Sequence, residues 1–156
     1  MKRFSFMIIL VLLASSSFAA GQVPAKPSHA DKCPVCGMFV YKYPDWTASL
    51  RLADGTTLYF DGAKDLFAFL FDASRYRPGT AVGDIKDIFV KDYYSLSPVD
   101  GRTAWYVAGS DVFGPMGREL IPFAKESDAR EFRKDHGGLA PLPFSGVTPA
   151  TLQALK

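Results

Sequence analysis

Apolar and polar residues alternate along "WTASLRLADGTTLYF" (residues 46–60), on both sides of "ADGT". A period of two marks strands with one buried face, and Asp-Gly between two such runs marks a tight hairpin. The pattern predicts strands near 46–53 and 56–60. The period then changes. In "DGAKDLFAFLFD", Leu66, Phe67, Leu70 and Phe71 recur at helical spacing, with Ala63 one turn earlier. This predicts a helix near 62–72, with Asp61 as N-cap and Gly62 opening the first turn. "SRYRPGTAVGD" is turn-rich, and "IKDIFVKDYY" reads as a strand near 85–93.

The second half follows the same order. "TAWYVAGS" predicts a strand near 103–108, "VFGPMGREL" a glycine-flanked loop, and "ELIPFA" a strand near 119–124. "SDAREFRKDHGG" predicts a helix with Ser127 as N-cap, ended by Gly137. Placing Phe60 on Phe123 also places Asp65 on Asp128 and Phe69 on Phe132. The expected fold is therefore α+β: two small related ββα-type lobes packed into one compact unit over 32–140, divided at about 32–95 and 96–140. An extended tail over 141–156, with one last short helical turn, is expected from its prolines.

The opening "MKRFSFMIILVLLASSSFAA" has a different character. Lys2 and Arg3 precede an apolar run, and Ser17 and Ala19 are small residues at the positions a signal peptidase reads. A signal peptide over 1–19 is expected, and with it export. A retained anchor is the alternative, but the run falls short of the ~20 residues a spanning helix needs. No cysteine directly follows the run, so no lipid attachment site is evident. "AGQVPAKPSHAD" (20–31) reads as a flexible tether. Loss of Lys2 and Arg3 takes the formal charge from +2 to 0. A neutral chain carries no basic footprint for nucleic acid. The apolar fraction of 48% is ample for a packed core.

Both cysteines lie in "KCPVCGMFV" (32–40). Three chemistries fit Cys33 and Cys36: a structural disulfide, a redox couple, or metal binding. A thioredoxin-like couple needs a helix directly after the motif, and β-prone residues follow instead. Closed zinc sites need a second ligand pair, whereas the chain has no further Cys and two His, His29 and His136, far apart. Met38 lies two residues past Cys36, and Met116 lies in "FGPMG". Filler methionines belong inside strands and helices; these two sit in glycine-containing loops. Thiolate and thioether are soft ligands that select Cu(I). A soft-metal site and a disulfide with filler methionines both remain open on spacing alone. The acidic residues, among them Asp61 and Asp65, read as turn and cap residues. Neither a carboxylate pair nor a nucleophile elbow marks an enzyme.

"CPVCGM", "LYFDGAKDLFAFL" and "AWYVAGSDVFGPMGRELIPFAKESDAREFRKDHGG" occur in that order from Cys33 to Gly138, and together they resemble the NosL family of nitrous oxide reductase accessory proteins. The resemblance implies two ββα-type lobes and no enzymatic activity. It implies periplasmic Cu(I) binding and delivery of copper for assembly of nitrous oxide reductase. It also implies a partner: the membrane maturation machinery, an ABC transporter with a periplasmic subunit. Carried onto this chain, it gives Cys36 as the thiolate ligand and Met38 and Met116 as thioethers. Cys33 is either a fourth ligand or the disulfide partner of Cys36 without copper. His136 is an auxiliary candidate, against its plainer role as a helix-end residue favoured by the dipole. A monomeric carrier is expected.

Overall fold

The computed structural model describes residue 23 and residues 25–155. The expected signal peptide lies outside the described residues. In chain order the elements are β1 (Ala48–Leu52), β2 (Thr57–Phe60), α1 (Ala63–Phe71), α2 (Ala73–Tyr76), β3 (Ile85–Lys91), β4 (Pro98–Asp100), β5 (Trp105–Gly114), β6 (Gly117–Phe123), α3 (Glu126–His136), β7 (Leu142–Pro143) and α4 (Pro149–Gln153). One antiparallel sheet has the order β2-β1-β3-β4 and the other β6-β5-β7. The fold is α+β, and each lobe contains a ββα unit.

Alternation along the strands decides what each sheet covers. Leu50, Leu52, Phe60, Ile88 and Val90 of the first sheet meet Leu66, Phe67 and Phe69 of α1 in one core. Tyr106, Ala108 and Leu120 of the second sheet enter the same core, so it belongs to both lobes. The neighbouring residues Val107, Ile121 and Phe123 point the other way and pack on Ala129 and Phe132 of α3. The second sheet is thus a middle layer. Each fully buried Phe or Leu in these clusters contributes ~1.5–3 kcal/mol relative to exposure. The pairs matched in the sequence repeat are also matched in space. Phe60 meets Phe69 at 5.5 Å between ring centroids, and Phe123 meets Phe132 at 5.0 Å.

Several local expectations change. Residues 112–120 are not a loop. β5 runs to Gly114 and β6 starts at Gly117, so Pro115 and Met116 form a two-residue hairpin turn. Gly117 takes the turn's left-handed φ of +86°, which only glycine adopts freely. A bulge follows: 108 to 113 on β5 spans 120 to 118 on β6, and it bends the hairpin end. Asp61 is not the cap of α1. That position falls to Gly62, which has no side chain to offer, while Asp61 turns inward. Ser127 lies inside α3, which Lys125 caps, and its hydroxyl donates to Asp128. The first sheet extends past residue 96, because β4 pairs with β3.

The tail closes the molecule. β7 joins the edge of β5, where a proline without an N–H is tolerated. Thr148 caps α4 by accepting the Thr151 N–H, Pro149 occupies the first turn, and Leu155 is buried. Residues 25–31, expected as a tether, lie against the first lobe: Tyr59 Oη donates to the Ala25 carbonyl at 2.7 Å.

Candidate metal centre

The cysteine loop is a closed knuckle. Lys32 and Phe39 form an isolated antiparallel bridge, and the Cys33 N–H donates to the Met38 carbonyl at 2.9 Å. The Gly37 N–H returns to the Cys33 carbonyl at 2.8 Å, with Gly37 at φ +78°. This left-handed turn folds Cys36 back beside Cys33. Both thiols are free.

Opposite the knuckle stands the entry to α1. The Cys36 thiol donates to Asp61, at 3.3 Å to Oδ1 and 3.4 Å to Oδ2. The Cys33 thiol donates to Asp65 Oδ2 at 3.3 Å. One ligand atom from each of the four residues fits within a mutual distance of 4.8 Å. Cys33 and Asp61 are each 1% exposed and Asp65 7%, whereas Cys36 is partly open to solvent. Among the described residues, no salt bridge reaches either carboxylate. Two acids and two thiols are thus packed together, each thiol hydrogen-bonded to one carboxylate.

Burial dominates the electrostatics. It pushes the Cys36 thiol up to about 12, with the Asp65 carboxylate adding to the rise. The deeper Cys33 thiol is raised as well, chiefly by burial and further by Asp65 and Asp61. Asp65 itself is raised by burial and by the charge of Asp61, while the thiol hydrogen bonds oppose the shift. The cluster therefore holds its protons on sulfur at neutral pH. A metal ion entering it displaces them.

Of the residues singled out in the sequence, Cys33 and Cys36 come together here. Met38 belongs to the same knuckle, through its carbonyl on Cys33. Met116 sits in the β5–β6 turn, a residue 47% exposed, and its carbonyl accepts from Lys64 Nζ at 2.9 Å. That bond puts the turn beside the start of α1. His136 is not one of the four clustered residues. Its Nδ1 lies 2.9 Å from Asp111 Oδ1, and its ring stacks on Phe132 at 4.5 Å, on the α3 side of the second sheet. Sequence reasoning missed Asp61 and Asp65. A signal was present for Asp65: 65 and 69 are spaced by four, so this acid falls on the helix stripe that buries Phe69, whereas Asp61 precedes the helix. A charged residue on the core face of a helix has a reason to be there.

Fold and site together define a small two-lobed α+β domain that presents a buried thiol–carboxylate pocket from one knuckle and one helix start. Comparison with known proteins gives the family. A family profile described as NosL matches residues 24–152. The copper-binding lipoprotein NosL of Stutzerimonas stutzeri is 30% identical over 132 residues, which cover 80% of this chain and 65% of the relative. The crystal structure of the copper chaperone NosL from Shewanella denitrificans has a TM-score of 0.70 and 28% identity, covering 83% of this chain and 97% of that one. The chain belongs to the NosL family. It matches just under two thirds of the length of the Stutzerimonas stutzeri lipoprotein.

Proposed function

We propose that this chain is an exported Cu(I) carrier that passes copper to an acceptor protein and catalyses no reaction of its own. The observation that carries this reading is the convergence of Cys33, Cys36, Asp61 and Asp65 within 4.8 Å, in a member of the NosL family. The names of two relatives, a copper-binding lipoprotein and a copper chaperone, support it. So does the chemistry. Cys36 is the partly open thiol and the natural entry point, with Met38 in its own loop and Met116 on the turn beside α1. Sulfur donors favour Cu(I), and a set of two or three leaves a position for an acceptor's ligand. The ion then moves by ligand exchange without ever being bare. Cys33 serves as a further thiolate, and His136 stays a structural helix-end residue.

Periplasmic location, a nitrous oxide reductase client, delivery through an ABC transporter with a periplasmic subunit, and action as a monomer complete the proposal. The word lipoprotein in the name of one relative supports export. A thiol–disulfide oxidoreductase is the competing use of the same cysteines. Redox-active thiols have lowered pKa values, whereas burial raises these two, which favours the metal reading.

The test is an anaerobic Cu(I) competition titration on the full chain. Wild type is expected to bind one ion. Cys36→Ser is expected to lose binding, and Met116→Ile to weaken it at least tenfold, about 1.4 kcal/mol. Wild-type affinity in Met116→Ile would remove Met116 from the site. Wild-type affinity in Cys36→Ser would overturn the carrier reading.

A further inference from the structure

Two side chains cross in opposite directions between the start of α1 and the β5–β6 hairpin. From β6, Glu119 Oε1 accepts the Lys64 N–H at 2.6 Å and the Leu120 N–H at 2.8 Å. From α1, Lys64 Nζ donates to the Met116 carbonyl at 2.9 Å and the Arg118 carbonyl at 2.6 Å. Glu119 is 3% exposed, and the chain makes room for it. A Cβ at Gly62 would collide with Glu119 Oε2, and one at Gly114 would lie 3.0 Å from its Cγ. Glu119 thus does the capping that Gly62 cannot, and it fixes the helix end from another lobe.

The two gripped segments are the ones the site is built from. Residues 61–65 hold both thiols, Cys36 through Asp61 and Cys33 through Asp65. The turn held by Lys64 is the turn of Met116. The Lys64 bonds are exposed to solvent, where such contacts add little to folding. Their effect is on geometry. A ligand on a loose turn loses conformational freedom when it is drawn onto an ion, whereas an anchored turn has lost it beforehand. Here the backbone at Met116 is held while the residue stays exposed.

We infer that Lys64 is a positioning residue for Met116: working from a helix end fixed by Glu119, it holds the methionine turn at the thiol pocket. This rests on the reading of Met116 as a Cu(I) ligand.

A double-mutant cycle tests it, by anaerobic Cu(I) competition on the full chain. Lys64→Leu keeps an aliphatic stem and removes the donors without adding a sulfur. It is expected to weaken Cu(I) binding about tenfold while leaving the apo melting curve unchanged. In the Met116→Ile background the same substitution is expected to cause no further loss. Lys64→Arg, which retains donors, is expected to recover most of the affinity. An equal loss in both backgrounds would mean that Lys64 acts on the domain generally, and would overturn the inference. So would wild-type affinity in Lys64→Leu when Met116→Ile alone is weakened, and then the carrier reading stands without the latch. Wild-type affinity in Met116→Ile would remove Met116 from the site and the latch with it.

Discussion

At the scale of the residue, the site is a matter of where protons sit. Cys33 and Cys36 were legible in the sequence as a pair with chemistry to perform. Of their carboxylate partners, Asp61 was not, because an Asp beside Gly at a helix entry has a sufficient local reason to be there, and Asp65 showed only as an acid on the buried stripe of α1. Only the meeting of knuckle and helix shows that Asp61 and Asp65 turn inward onto the thiols. This has a measurable consequence. With Cys36 pushed up to about 12, its thiolate fraction grows with every step in pH across the neutral and mildly alkaline range. Alkylation of the reduced apo protein by iodoacetamide is expected to rise about tenfold per unit between about pH 7 and 10, with no plateau near the ordinary cysteine value. Asp65→Asn removes a charge that raises both thiols, and is expected to speed alkylation at fixed pH. A plateau near pH ~9 in wild type would show unperturbed thiols.

At the scale of the element, the period-two and helical patterns located β1, β2, β3, α1, β6 and α3 to within a few residues. They stopped short on β5, since Gly109, Gly114 and Gly117 read as loop residues. In fact Gly109 lies where the bulge begins, and Gly114 and Gly117 flank the tight turn. β4 and β7 are short, proline-bearing edge strands with no periodicity to find. The entry to α1 is where local logic and outcome part furthest. Sequence assigns a cap to the nearest Asp, and the structure takes one from Glu119, 55 residues away. Gly62→Ala tests that arrangement. Its φ of −172° is extended backbone open to any residue, so strain is not at issue. The added methyl meets the Glu119 carboxylate instead, and overpacking of this kind costs ~1–3 kcal/mol in urea unfolding. Most of that loss is expected to vanish in a Glu119→Ala background. A full loss in both backgrounds would place its cause elsewhere.

At the scale of the whole molecule, the buried Glu119 couples stability to pH. Burial pushes its carboxyl from an ordinary 4.5 to about 7, against the opposing pull of its hydrogen bonds to Leu120 and Lys64. Between those values the folded chain holds a proton that the unfolded chain has released, so the group's contribution to stability falls as pH rises from about 4.5 to 7 and is level above. The full swing is on the order of 3 kcal/mol. Urea unfolding at about pH 5 and pH 7.5 is expected to show the fall in wild type and a smaller one in Glu119→Gln. The remainder belongs to Asp65, which is raised in the same sense. An identical slope in both proteins would assign the effect away from Glu119.

The sequence by itself determined the local periods, the two ββα units with their matched phenylalanines, and the sulfur atoms available for chemistry, because these depend on neighbours within a turn or a strand. Tertiary structure alone decided which side chains face the thiols, that one core serves both lobes, and that the methionine turn is tied to the start of α1. Those contacts join residues 25 to 55 positions apart. The energy that fixes them is burial shared between elements, which no local pattern records.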